Sequence, residues 1–314
     1  MIEDSLSVLA GLRDRAQAGE AVALVTLTDV EGGAPRAPGA VMGVSAGGFQ
    51  AGYLSGGCLE AAVAEEARQA MAIGRRRRIR YGAGSPYKDI VLPCGGGLDL
   101  AIDPLISAAD LDQLVRNLDA RRPAAWRFDV EGLSPGVVLM GAPAFGWSGT
   151  VFTRPFSPRL RLEIAGAGPN AAQLALLAQA SGLGVRLWTP DADTRALAEQ
   201  AGLSVEGLQR PDQVPDFAFD AWTAFATLFH DHDREPALLD AALASPAFFV
   251  GAQGGRRAHA ARAEALAARG APADAIARVH APIGLSPGAR SAPELAASAL
   301  AEILKTAREC GWSD

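Results

Sequence analysis

Cysteine is scarce in this chain, with only Cys58, Cys94 and Cys310 among 314 residues. An odd count at irregular spacing excludes a disulfide framework and predicts free thiols in a reducing, cytoplasmic compartment. Aromatic residues make up only 6%, too few for a base-stacking surface. Positive charge is not in excess: the net charge is −6, which argues against nucleic acid or an anionic membrane as partner. No apolar run reaches the roughly 18 residues of a membrane span. The acidic start Met1-Ile2-Glu3-Asp4 does not read as a secretory signal.

What is present is ordinary for a globular chain: 49% hydrophobic and 20% charged residues, enough to bury a substantial core. The length suits two domains. Spacing predicts an amphipathic helix over 5–18 and a strand over 21–28. The stretch Glu31-Gly32-Gly33-Ala34-Pro35-Arg36-Ala37-Pro38-Gly39 is too rich in glycine and proline for regular structure. A hairpin over 40–54 then leads into Ser55-Gly56-Gly57-Cys58-Leu59-Glu60. If the Ala/Glu-rich run that follows is a helix ending at Gly74, Cys58 sits at a helix start, where the dipole favours a thiolate. Gly56 and Gly57 would let a ligand approach the main chain closely.

The run Arg75-Arg76-Arg77-Arg78-Ile79-Arg80 reads either as a solvated basic stretch leading a strand or as a phosphate contact. Pro93-Cys94-Gly95-Gly96-Gly97 repeats the cysteine-against-glycine theme, before a strand over 98–102. Residues 105–152 carry little chemical signal beyond one helix and weak strands. Two prolines in 153–158 suggest a linker. The expected domains are therefore 1–152 and 159–314.

The second half is α/β in pattern. A strand over 159–165, the turn Gly166-Ala167-Gly168-Pro169-Asn170-Ala171 and a helix over 172–179 match G-x-G-x-x-A in a βαβ context. That pattern predicts a Rossmann-like domain with a mostly parallel sheet behind an α+β N-terminal domain. The second strand, however, ends at Thr189 where a ribose-binding acid belongs, with Asp191 beyond Pro190. NAD(P) is therefore not the expected cofactor. All four histidines lie in this half. His230 and His232, in Phe229-His230-Asp231-His232-Asp233, would share a face if the preceding strand continued, as metal ligands can; the alternative is a polar strand end. Arg256 and Arg257 open a helix carrying His259 and could face an anion or simply make salt bridges. The last helix opens with the capping-box arrangement Ser291-Ala292-Pro293-Glu294, and Cys310 is expected in a tail past it.

As a set, these motifs resemble the xanthine dehydrogenase accessory protein family (XdhC/CoxI). In the first half the resemblance rests on Gly33–Gly39, Ser55–Glu60 and Cys94-Gly95-Gly96. In the second it rests on Gly166-Ala167-Gly168, His230-Asp231-His232, Gly251 with Arg256-Arg257 and His259, His280–Leu285, and Gly288-Ala289-Arg290. It implies a molybdenum cofactor chaperone rather than a catalyst of substrate turnover. Such a protein binds the cofactor, as molybdopterin or its dinucleotide form, transiently while a cysteine desulfurase installs the sulfido ligand. It then serves a molybdenum hydroxylase apoenzyme, and a homodimer is compatible with the family. Carried over by position, Cys58 is the candidate thiolate nearest molybdenum, with Cys94 second and Arg36 for the phosphate. The chain departs from the family's common pattern at Pro169, Thr189, Gly255 and Ala258. The competing expectations are an NAD(P)-dependent oxidoreductase and a metal-dependent enzyme built on His230, Asp231, His232 and His259.

Overall fold

The computed structural model describes residues 4–57, 59–85, 95–210, 212–286 and 288–311. The chain divides into two compact units between Pro158 and Arg159.

In the first unit, α1 (Ser5–Gln17) precedes the long strand β1 (Val22–Glu31), and β2 (Val41–Ser45) and β3 (Gln50–Ala51) form the expected hairpin. Helix α2 (Glu60–Ile73) ends on Gly74, whose φ of 61° closes a left-handed cap. Strands β4 (Arg77–Gly82) and β5 (Gly97–Asp103) complete an antiparallel sheet in the order β3-β2-β1-β5-β4. Both faces of β1 are covered, so its apolar run is continuous rather than alternating. Ala23, Val25 and Leu27 pack with Val63, Ala64, Ala67 and Ala70 of α2. Val22 and Leu24 face α1 and the next helix, α3 (Ala108–Asp119). Ser107 and Asp110 cap α3 reciprocally.

A second antiparallel sheet, in the order β7-β6-β9-β8, is built from β6 (Ala124–Asp129), β7 (Val137–Met140), β8 (Gly146–Ser148) and β9 (Val151–Phe156). The expected linker over 153–158 is thus mostly strand. Pro155 is tolerated because it pairs with Ala125 beyond the part of β9 that β8 covers. The arginine run is not simply solvated either. Arg76 is buried, donates to Asp103 Oδ1 at 2.8 Å, and reaches the carbonyls of Asp129, Gly132 and Ser134. Trp126 Nε1 donates to the other Asp103 oxygen at 2.8 Å. A buried charge of this kind is sustained only by such pairing.

The second unit is a three-layer α/β structure. Its strands are β10 (Arg161–Gly166), β11 (Gly184–Thr189), β12 (Ser204–Gly207), β13 (Thr223–Leu228), β14 (Phe249–Ala252) and β15 (Val279–His280). All pair in parallel, in the order β12-β11-β10-β13-β14-β15. This is the doubly wound order of a Rossmann domain, reversing direction between β10 and β13. Helices α4 (Pro169–Ala180), α5 (Ala192–Gln200) and α9 (Ala292–Glu309) contribute to the core on one face. Helices α6 (Glu235–Leu243), α7 (Arg256–Ala268) and α8 (Ala273–Ala277) cover the other. Ser291 caps α9 as expected. Cys310 is exposed at the C-cap of α9 rather than in a tail beyond it. No helix among the described residues is long and apolar enough to cross a membrane.

Candidate functional site

In the first unit, the described parts of three glycine-rich motifs come together. A Cβ on Gly96 would lie 2.6 Å from the Glu31 carbonyl oxygen and 2.8 Å from that of Gly33. The main chain of the second cysteine motif therefore lies directly against the Gly33 loop. Pro35 of that loop sits 3.6 Å from where a Gly56 Cβ would be, which brings in the third motif. Gly56 and Gly57 have φ of 78° and 112°, backbone that only glycine adopts cheaply. Cys58 and Cys94, the candidate thiols, lie outside the described residues. Arg154, buried on β9, donates from Nε to the Gly39 carbonyl at 2.7 Å and anchors the far end of the proline loop. Arg36 is half-buried and, among the described residues, has no hydrogen-bond or ion-pair partner.

Glu60 organises the loop at the start of α2. Its carboxylate accepts from Leu54 N (3.0 Å), Ser55 N (2.8 Å), Ser55 Oγ (2.8 Å) and Leu59 N (3.1 Å). Burial opposes its ionisation, but the Ser55 and Leu54 amides and the Ser55 hydroxyl outweigh burial and hold it below the usual carboxylate range. Most of these donors belong to the loop before α2; at the helix start itself the carboxylate engages the Leu59 amide.

The second unit gathers its polar residues at the carboxyl ends of β10, β13 and β14, the place where open α/β sheets bind ligands. A cleft of about 540 Å³ is lined by Pro169, Asn170, His230, Gln253, Gly255 and Arg290, among others. A neighbouring hollow of about 360 Å³ is bounded by Gly168, Asp191, His230 and Arg234. His230 lines both. Strand β13 stops at Leu228, and residues His232–Arg234 form a 3-10 turn. The shared strand face expected for His230 and His232 therefore does not exist, and the His232 side chain lies outside what is described. Among the described residues no group of three or more His, Cys, Asp or Glu is placed to hold a metal.

Gly166 is required by packing. A Cβ there would fall 2.6 Å from the Leu228 carbonyl oxygen and 2.9 Å from Ala171. Arg256 and Arg257 are exposed on the first turn of α7 and do not line the cleft. Asn170, Gln253 and Arg290 do, and sequence reasoning does not single out any of them as a site residue. Asn170 Nδ2 donates to Gln253 Oε1 at 3.1 Å. Behind them, buried Arg262 donates to Glu235 Oε2 at 2.8 Å and to the Gln253 carbonyl at 2.7 Å. The wall carrying Ile283 and Ser286 is held by α9: Glu302 accepts from Gly284 N at 2.6 Å and pairs with His280 Nδ1 at 2.9 Å.

Comparison with known proteins places both units. Residues 162–303 match the XdhC Rossmann domain, and residues 15–82 match the XdhC and CoxI family. The crystal structure of a xanthine dehydrogenase from Bacillus halodurans superposes with a TM-score of 0.76, covering 96% of each chain. At 21% identity that likeness speaks for the fold alone. A probable xanthine dehydrogenase component of Bacillus subtilis (strain 168) is 26% identical over 54% of this chain and 50% of its own. The molybdenum cofactor insertion chaperone PaoD of Escherichia coli (strain K12) is 36% identical over 96% of this chain and 89% of its own. On this extent of similarity, spanning both units, the chain belongs to the XdhC and CoxI family.

Proposed function

We propose that this chain is a molybdenum cofactor maturation chaperone. It binds the cofactor transiently, holds it while a cysteine desulfurase installs the terminal sulfido ligand, and delivers it to a xanthine dehydrogenase-type molybdenum hydroxylase apoenzyme. The observation that carries this reading is the full-length likeness to a molybdenum cofactor insertion chaperone. The residues of the first unit fit such a ligand. Glycine main chain from three loops converges, and Arg36 stands half-buried beside it without a partner among the described residues. A guanidinium in that setting suits a phosphate.

In this reading Cys58 supplies a soft thiolate near molybdenum and Cys94 a second. Gly56, Gly57 and Arg36 hold the phosphate-bearing part. In the second unit, Gly168, His230 and His232 are the proposed contacts to a nucleotide tail, if the cofactor is carried in its dinucleotide form; Gly166 serves the packing of the turn, and Arg256 and Arg257 lie outside the cleft and are not assigned to the tail. A cytoplasmic location and a homodimer belong to the same proposal. The test is binding of molybdenum cofactor to wild-type protein and to Arg36→Ala, Cys58→Ala and Cys94→Ala. Loss in Cys58→Ala and weakening of about tenfold in Arg36→Ala are expected. Stoichiometric binding unchanged in both cysteine variants would remove the thiol assignment.

A further inference from the structure

The glycine fingerprint of the second unit is connected in a way that bears on which nucleotides it admits. A helix start offers four free N–H groups, and a Rossmann domain uses them to hold a pyrophosphate. At α4 those four belong to Gly168, residue 169, Asn170 and Ala171. The Gly168 N–H is already donated to Thr194 Oγ1 at 2.7 Å. Thr194 is buried, on the first turn of α5, and its own hydroxyl donates to Asp191 Oδ2. Asp191 caps the same helix by accepting from Thr194 N at 2.8 Å. Hydrogen bonds from the Thr194 hydroxyl and amide hold the Asp191 carboxyl below the usual carboxylate range. Position 169 is proline and has no N–H to give. Two of the four donors are therefore absent from the site, one consumed within the chain and one never present.

We infer that Thr194 and Pro169 are specificity-determining residues that exclude nicotinamide dinucleotides from this crevice by withholding pyrophosphate donors at α4. Thr194 blocks the Gly168 amide, and Asp191, tied to Thr194, is drawn into the cap of α5. The inference goes beyond the chaperone reading and restricts its dinucleotide form: a molybdopterin dinucleotide carries the same pyrophosphate, so its tail would be held in this unit by groups other than the Gly168 amide.

The experiment is a titration of the full chain with NADH, followed by its fluorescence, for wild type, Pro169→Ala, Thr194→Val and Thr194→Ser. Pro169 is exposed, so Pro169→Ala restores an N–H without disturbing the core. Thr194→Val removes the acceptor at nearly constant volume, and Thr194→Ser keeps it. Each restored donor to a charged oxygen is expected to tighten binding about tenfold, with Thr194→Ser unchanged from wild type. Micromolar binding by the wild type would overturn the inference. So would equal affinity, weak or absent, in wild type and a folded Pro169→Ala, or a gain in Thr194→Ser as large as in Thr194→Val.

Discussion

Glu60 shows how much a single residue does in the first unit. Four donors converge on its carboxylate, so Glu60→Ala deprives the buried Leu54 and Ser55 amides of this acceptor, while Leu59 N keeps Ser55 Oγ. A loss of about 2–4 kcal/mol in chemical unfolding is expected. Glu60→Gln retains one oxygen but turns an amide NH2 toward the Leu59 N–H. Because the folded-state pKa of Glu60 is lowered, its stabilisation is fully present above the ordinary carboxylate pKa. It is lost as pH falls through the depressed value. The stability gap between wild type and Glu60→Gln should therefore narrow on acidification, and a pH-independent gap would contradict this assignment. The glycines allow a second contrast. Gly96→Ala places a Cβ within 2.8 Å of two carbonyl oxygens, whereas Gly33→Ala meets nothing within 4 Å. Thermal melts should show Gly96→Ala destabilised, by about 1–3 kcal/mol, and Gly33→Ala close to wild type.

At the scale of elements, local chemistry is legible in the sequence and long-range pairing is not. The helix end at Gly74 and the cap at Ser291 are set by residues adjacent in sequence, and both form where the sequence places them. The strand–turn–helix around Gly166 and Gly168 likewise announces a parallel sheet. Strand β9 reads as a linker because Pro155 weakens a strand signal; only its partner β6 makes that position tolerable. Arg76 reads as solvated because its partner Asp103 lies 27 residues away. His230 and His232 would pair only on a continued β13, whereas the chain turns after Leu228. Asn170 and Gln253 meet at the cleft from positions 83 residues apart, a contact no local pattern reveals. The buried pair behind them joins α6 to α7. Arg262→Met removes the guanidinium that pairs with the buried Glu235 carboxylate and is expected to cost about 3–5 kcal/mol. The double variant Arg262→Met/Glu235→Leu should recover most of that in the same unfolding experiment, because no buried charge is left alone.

At the scale of the whole molecule, two compact units each carry their own hydrophobic clusters. Residues 159–311 expressed alone are therefore expected to unfold cooperatively, as followed by circular dichroism; a non-cooperative melt would contradict the division. The proposed function places cofactor chemistry in the glycine-rich loops of the first unit. The measurement that tests it most directly is the molybdenum cofactor content of wild-type protein, Cys58→Ala and Cys94→Ala after incubation with the cofactor. Near-stoichiometric binding by the wild type and its loss in Cys58→Ala is the predicted result. No binding by the wild type, or undiminished binding by both variants, would contradict it.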